Sequence, residues 1–282
     1  MQVISSISEL RTYRRSLSPA LTTSLVPTMG ALHDGHIRLM HEARSHSDHV
    51  MATLFVNPTQ FGPNEDFSRY PRTLDRDLEL LTAAGVHAVF VPQTEEIYPA
   101  QSHFYIDITG LADRLCGKSR PGHMNGVVQV VSILFHLCQP DIAFFGRKDY
   151  QQLAILNRLA QEFHFPVTVR GVDTVREPDG LALSSRNRYL GPEERAAAPL
   201  LYQTLQAVKN SVWKSAAEAE TWAASQIQAN PAFRLDYFQV LNGRDLSPIG
   251  EIAEEQAPVA FVAAFLGTTR LIDNVALYSY PV

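Results

Sequence analysis

Short apolar runs rich in β-branched and aromatic residues recur at Leu25-Val26, Val50 to Val56, Ala88 to Val91, Ile142 to Phe145 and Val167 to Val172. Runs this short, without polar alternation, predict strands buried on both faces. Between them the apolar positions take helical spacing: Ile37, Met40 and Ala43; Leu74, Leu78 and Leu81, with Thr73 as cap and Gly85 as stop; Val127 to Leu137; and Leu153, Leu156 and Leu159. Each change of period marks a new element. Strands alternating with helices predict an α/β fold, a Rossmann-like parallel sheet with helices on both faces.

Beyond Val175 the rhythm changes. Helical patterns at Pro192 to Asn210 and Ala216 to Ala229 precede strand-like runs at Asp236 to Leu241 and Val259 to Leu266, a smaller α+β unit. The turn Glu177 to Gly180 (EPDG) marks the junction, so residues 1–174 are expected to form the Rossmann-like domain and residues 175–282 a smaller C-terminal domain. No internal repeat or low-complexity tract interrupts this plan.

The 282 residues carry a net charge of -5, which argues against nucleic-acid binding through bulk positive charge and makes any phosphate site local. Only Cys116 and Cys138 occur, without CxxC spacing, so neither a disulfide framework nor a thiolate zinc site is indicated. The first residues lack an apolar signal-peptide core, and the longest apolar run, Val259 to Leu266, is far too short to span a bilayer. A cytoplasmic protein with no membrane or nucleic-acid partner is expected.

The stretch PTMGALHDGHIRLM, Pro27 to Met40, falls where the first strand gives way to a helix starting near Gly35 or His36. In an open parallel sheet ligands bind at that edge, and a helix N-terminus with Gly30 and Gly35 suits a phosphate, with His33 and His36 as further donors. A purely structural loop is the competing reading. His36, His41 and His46 do not converge on one ion, because a five-residue helical step turns the side chain by about 140°. No G-x-G-x-x-G follows a strand, and ADRLCGKS, Ala112 to Ser119, only approximates a P-loop, lacking its first glycine and a following helix.

Three other segments point to the same edge. In FFGRKDYQQLAIL, Phe144 to Leu156, Lys148 and Asp149 open a helix with Gln152 one turn on, and Asp149 either caps that helix or faces a ligand. In DGLALSSRNRYL, Asp179 to Leu190, Ser184, Ser185 and Arg186 suit a clamp over a polyphosphate. The loop VNPTQFGPNEDFSRYPRT, Val56 to Thr73, presents Asn57 and Gln60 to a hydroxyl-bearing substrate, while Asp75 and Asp77 beyond it either serve a divalent ion or favour the first turn of their helix.

These segments, with EIYP, SRPGH, QPDIAFFGRKDYQQ and the late GTTRLIDN, resemble the pantoate-beta-alanine ligase family across most of the chain. The resemblance implies a fold related to class I tRNA synthetases, a homodimer, and ATP-dependent joining of pantoate to beta-alanine through a pantoyl adenylate, with release of AMP and pyrophosphate. It implies ATP contacts from Met29, Gly30, His33, Gly35, His36, Gly146, Lys148, Asp149, Val175, Leu183, Ser184, Ser185 and Arg186, with His36 the proton donor or transition-state stabiliser beside His33, Lys148 and Arg186. Gln60 and Gln152 would hold pantoate, and Gln60, Asn57, Tyr70 and Arg120 beta-alanine. Asp77 would accompany Mg2+, and the C-terminal domain would act as a lid. Arg147, Cys116 and Arg76 depart from the pattern, standing where acidic residues are common. Two other readings compete: transfer of AMP to a phosphate acceptor, and nucleotide binding without turnover.

Overall fold

Alternate residues of each buried run leave the backbone on opposite sides, so a strand of this kind needs cover on both faces. The computed structural model describes residues 1–63, 65–99 and 103–281. Asn64, within the Val56 to Thr73 loop, and Val282, the end of the expected C-terminal domain, lie outside the described residues. The strands β1 (Gln2–Ile4), β2 (Thr23–Thr28), β3 (His49–Leu54), β4 (Ala88–Phe90), β5 (Ile142–Gly146) and β6 (Thr168–Val172) form one parallel sheet ordered β1-β4-β3-β2-β5-β6. Among them run α1 (Ile7–Ser16), α2 (Asp34–His46), α3 (Leu74–Ala83), α4 (Thr94–Ile97), α5 (Leu115–Ser119), α6 (His123–Cys138) and α7 (Tyr150–Glu162).

Leu25, Met51, Phe90 and Phe145 pack with residues of α1, α6 and α7, whereas their neighbours Val26, Val50, Val89 and Phe144 pack with α2 and α3. The expected α/β sheet with helices on both faces is therefore present. Two N-terminal elements had no apolar signature. β1 is only three residues long, and α1 is mostly polar, started by a reciprocal Ser6 and Glu9 capping box.

The sheet order reverses at β2, with β3, β4 and β1 on one side and β5 and β6 on the other. Ligands of open α/β sheets bind at such a reversal, beyond the carboxyl ends of the strands. The register widens the gap there. β2 pairs with β3 through Thr28↔Leu54, but with β5 only at Ser24↔Ile142 and Leu25↔Ala143. Pro27, which has no N–H to donate, lies in the part of β2 that has left β5.

After β6 the chain continues into α8 (Pro192–Ala197), α9 (Leu200–Lys209) and α10 (Ala216–Gln228), then the antiparallel sheet β7 (Phe233–Asn242), β8 (Pro258–Leu266) and β9 (Thr269–Ala276). Helices α9 and α10 cover one face through Leu201, Leu205, Ala219 and Ala223. On the other, Val259, Phe261 and Ala276 share a core with Tyr150 and Ala154 of α7. The Asn274 amide, 1% exposed, donates to the carbonyls of Arg147 and Lys148 at 2.8 and 2.9 Å, so the small sheet braces the end of β5. β9 escaped the sequence pattern because Arg270, Asp273 and Asn274 interrupt its apolar residues. Among the described residues no helix is long and apolar enough to cross a membrane.

Arg176, in the segment after β6, grips the buried Asp273 with two bonds of 2.6 and 2.9 Å. Removing one partner of a buried pair leaves a charge without compensation. Arg176→Met should cost about 3 kcal/mol in urea unfolding at neutral pH. Adding Asp273→Asn to it should restore most of that loss.

Candidate active site

The turn after β2 begins with two left-handed residues in succession, Gly30 at φ 79° and Ala31 at φ 51°. Five of its amide hydrogens go to acceptors within the protein. Gly30 donates to Thr28 Oγ1 at 3.2 Å, Ala31 to Asp77 Oδ2 and Leu32 to Asp77 Oδ1, both at 2.9 Å. His33 donates to His36 Nδ1 at 3.3 Å, and Gly35 to His33 Nδ1 at 3.1 Å. The helix starts at Asp34 with His33 as its cap, one residue earlier than expected. The amides of Gly30, Ala31, Leu32, His33 and Gly35 are thus engaged within the protein, and the donors this turn adds at the cavity are the histidine side chains.

Those donors are defined by the same bonds. A neutral imidazole carries one proton, and in both rings Nδ1 accepts, so the proton of each sits on Nε2. Burial, reinforced by the charge of Lys148, pushes His33 down to about 4. Burial, with His33 and Lys148 adding to it, pushes His36 down to about 3. The two rings lie 4.1 Å apart between centroids, a pair of neutral N–H donors at the reversal of the sheet.

They open onto a cavity of about 240 Å³. Met29, Gly35 and Leu39 form the β2 side, and Gly146, Lys148, Asp149 and Gln152 the β5 side. The segment after β6 contributes Thr174, Val175, Leu183, Ser184, Ser185 and Arg186. Asn57, Gln60, Tyr70 and Arg120 close the third side. Through Arg120, Lys148, Asp149, Ser184 and Arg186 the cavity opens into a cleft of about 670 Å³ that also touches Arg270 and Asp273 of the small sheet. Of the two readings of Asp149, the side chain makes no capping bond to α7; it stands 3.8 Å from Lys148 Nζ.

Both arginines arrive with a counter-ion from the long loop. Arg120 holds Glu65 through Nε and Nη2, each at 2.6 Å. Burial opposes ionisation of Glu65, but Arg120 outweighs it and holds the carboxyl at about 2. Arg186 holds Asp66 at 2.8 and 3.0 Å; burial works against its charge, and the Asp66 bonds outweigh that and push its pKa up. Arg147, one of the three departures from the family pattern, pairs with Asp173 at 2.7 Å and lies over the Tyr280 ring.

Three expectations change. Asp77 is 2% exposed, lines neither the cavity nor the cleft beside it, and accepts from the turn through both oxygens, so its role here is that of a backbone acceptor. Among the described residues no three His, Cys, Asp or Glu side chains are arranged to hold a metal. Gly30 does not line the cavity; it lies over Asp77, where a Cβ would sit 3.0 Å from Oδ2. Asn57 lines the wall, but its amide donates to Gln60 Oε1 and the Gly126 carbonyl, both at 3.0 Å, so it orients Gln60 instead of facing a ligand. Gly126 makes this possible, since a Cβ there would lie 2.3 Å from the Thr59 carbonyl oxygen.

Sequence reasoning passed over His123 and the wall of Val127, Val130, Val131 and Leu134. The wall was legible only as a buried helix, and the signal for His123 was its place in SRPGH at the start of α6. Its Nδ1 donates to the Gln60 carbonyl at 2.7 Å, which leaves Nε2 an acceptor, and burial followed by Arg120 pushes it to about 4. The near P-loop is closed: a Cβ on Gly117 would lie 2.0 Å from the Ala112 carbonyl oxygen, and its N–H donates to Gln151 at 3.2 Å.

A parallel sheet whose order reverses over imidazole, ammonium and guanidinium donors defines a nucleotide-binding α/β protein. The sequence profile of the pantoate-beta-alanine ligase family matches residues 2–276, and the chain belongs to that family. It is 46% identical to a pantothenate synthetase of Moorella thermoacetica over 98% of this chain and 99% of that one. It is 48% identical to one of Alcanivorax borkumensis over 98% of each. The crystal structure of pantothenate synthetase from Thermus thermophilus superposes with a TM-score of 0.92, at 44% identity, over 99% of this chain and 100% of that one. A Francisella tularensis pantoate-beta-alanine ligase, solved with beta-gamma ATP and beta-alanine, gives 0.83 at 33% identity, covering 100% of both chains.

The buried histidines predict acid sensitivity. His33, His49 and His123, pushed to about 4, and His36, pushed to about 3, mainly by burial, start from an ordinary value of 6.5. Between those values the unfolded chain binds more protons, so this stability is complete above 6.5 and is lost as pH falls towards 4. Urea midpoints should therefore fall across that window, and removing the imidazole at His49, remote from the cavity, should flatten part of the slope.

Proposed function

We propose that this cavity joins pantoate to beta-alanine at the expense of ATP, in two steps through a pantoyl adenylate. The observation that carries the reading is the gathering around one cavity of two neutral imidazole donors, Lys148, Arg186 and the Gln60 and Gln152 amides. In the first step the pantoate carboxylate attacks the α-phosphorus of ATP and pyrophosphate leaves. Charge grows on the phosphate oxygens, and donors fixed in advance stabilise that growth without reorganising. His36 and His33 offer Nε2–H to it. Because both rings are neutral, His36 acts as transition-state stabiliser more readily than as proton donor.

Lys148 and Arg186 neutralise the triphosphate, Ser184 and Ser185 donate hydroxyls to it, and Val175 and Leu183 border the base. Met29, Gly35, Gly146 and Asp149 complete the ATP wall. Gln60 and Gln152 hold pantoate. Gln60 is pre-set for this, because its carbonyl accepts from Asn57 and its amino group is left to face Met29 Sδ at 3.1 Å and the cavity. In the second step the beta-alanine amine attacks the acyl carbon and AMP leaves. Arg120 and Tyr70 mark the carboxylate end of that substrate, and His123 is the neutral acceptor beside them.

The Val127 to Leu134 wall keeps water from the acyl adenylate, and residues 175–282 act as the lid over the larger cleft. Magnesium enters mainly as the companion of ATP, held by its phosphates and waters. We place the protein in the cytoplasm, in line with its two buried free thiols, and as a homodimer, in line with the family.

The experiment is AMP release from ATP, magnesium and D-pantoate with and without beta-alanine. AMP should require both organic substrates, while pyrophosphate exchange should require pantoate alone; AMP transfer to a phosphate acceptor would contradict the reading. Arg186→Ala should lower the exchange rate by about 10²–10³ while leaving pantoate affinity nearly unchanged.

A further inference from the structure

Successive N–H groups in a turn can converge on one point, a concavity that binds anions. In phosphate loops the ligand fills it. Here the N–H groups of Ala31 and Leu32 face inward and converge on Asp77: Oδ2 accepts from Ala31 and Oδ1 from Leu32, both at 2.9 Å. Thr73 in turn donates its hydroxyl to Asp77 Oδ2 at 3.2 Å. The carboxylate is almost wholly buried, and its neighbours in the first turn of α3 are solvent-facing.

The turn it grips leads straight into the histidine pair. With Ala31 and Leu32 fixed, His33 becomes the cap of α2, its ring returns to the Gly35 N–H, and the His36 ring returns to the His33 N–H. Both Nε2–H groups are then aimed by a chain of bonds that starts at Asp77. We propose that Asp77 is a positioning residue for the reaction, an internal anion that holds the turn after β2 so that His33 and His36 present their Nε2–H donors to the phosphate. The inference rests on the ligase reading. It also explains why an acid belongs there without a metal: two converging N–H groups need two acceptors. Asparagine supplies one acceptor and one donor, and its amino group would oppose an N–H.

The test is Asp77→Asn, read by pantoate-dependent pyrophosphate exchange, pantoate affinity, a magnesium titration and amide hydrogen exchange. Exchange of pyrophosphate should fall by about a hundredfold, as expected for misplaced donors, with pantoate affinity retained, because Gln60 and Gln152 sit on other elements. Raising magnesium should leave the deficit unchanged, and the Ala31 and Leu32 amides should exchange faster than in the native chain. Thr73→Val, which keeps the carboxylate but removes its support, should show a smaller loss in the same direction and serves if Asp77→Asn does not fold. Native exchange rates in both variants, or a deficit relieved by magnesium, would overturn the proposal. A native chain with no pantoate-dependent exchange would instead overturn the ligase reading, and the two amides would still report whether Asp77 holds the turn.

Discussion

A backbone N–H that already has an acceptor cannot also hold a ligand, and this constraint governs the site. The turn joining β2 to α2 gives the amide hydrogens of Gly30, Ala31, Leu32, His33 and Gly35 to Thr28, Asp77, His33 and His36, and presents imidazole Nε2–H to the cavity. The charge at this edge comes from Lys148 and Arg186 rather than from a helix terminus. Two neutral donors beside two cations suit a reaction in which negative charge moves among phosphate oxygens, because the donors need no proton of their own to leave or arrive.

The fold serves this arrangement by keeping two strand ends apart and steady. β2 abandons β5 after Leu25, and Pro27 lies in the stretch that follows. On the β5 side, Asn274 ties the Arg147 and Lys148 carbonyls to the small sheet, and Tyr150 donates its hydroxyl to the Gly243 carbonyl at 2.9 Å. The C-terminal part thus buttresses the crevice and lines the cleft beside it. Glu65 and Asp66 neutralise Arg120 and Arg186, each through Nε and Nη2 of the guanidinium.

The parallel sheet was legible because its strands are short, apolar and separated by helices of regular spacing. β1 and β9 were not, one for brevity and the other for polar residues whose partners lie far away in sequence. The site was legible as residue types at strand ends: His33, His36, Lys148, Gln152 and Arg186 all line the same cavity. Direction was not legible. Nothing in PTMGALHDGH says that its N–H groups turn inward, since that depends on Asp77, far along the chain in another helix. The roles of Asn57 and Arg120 depend likewise on Gly126 and Glu65, contacts that no local pattern encodes.

The most direct test of the account is nitrogen-15 NMR of the His33 and His36 rings in the unliganded protein. With Nδ1 of each accepting a backbone N–H, both should hold a proton on Nε2 and a bare Nδ1 from about pH 5 to about pH 8. Shifts averaged between tautomers, or titration near the ordinary value of 6.5, would contradict the claim that two neutral, fixed donors form the heart of the site.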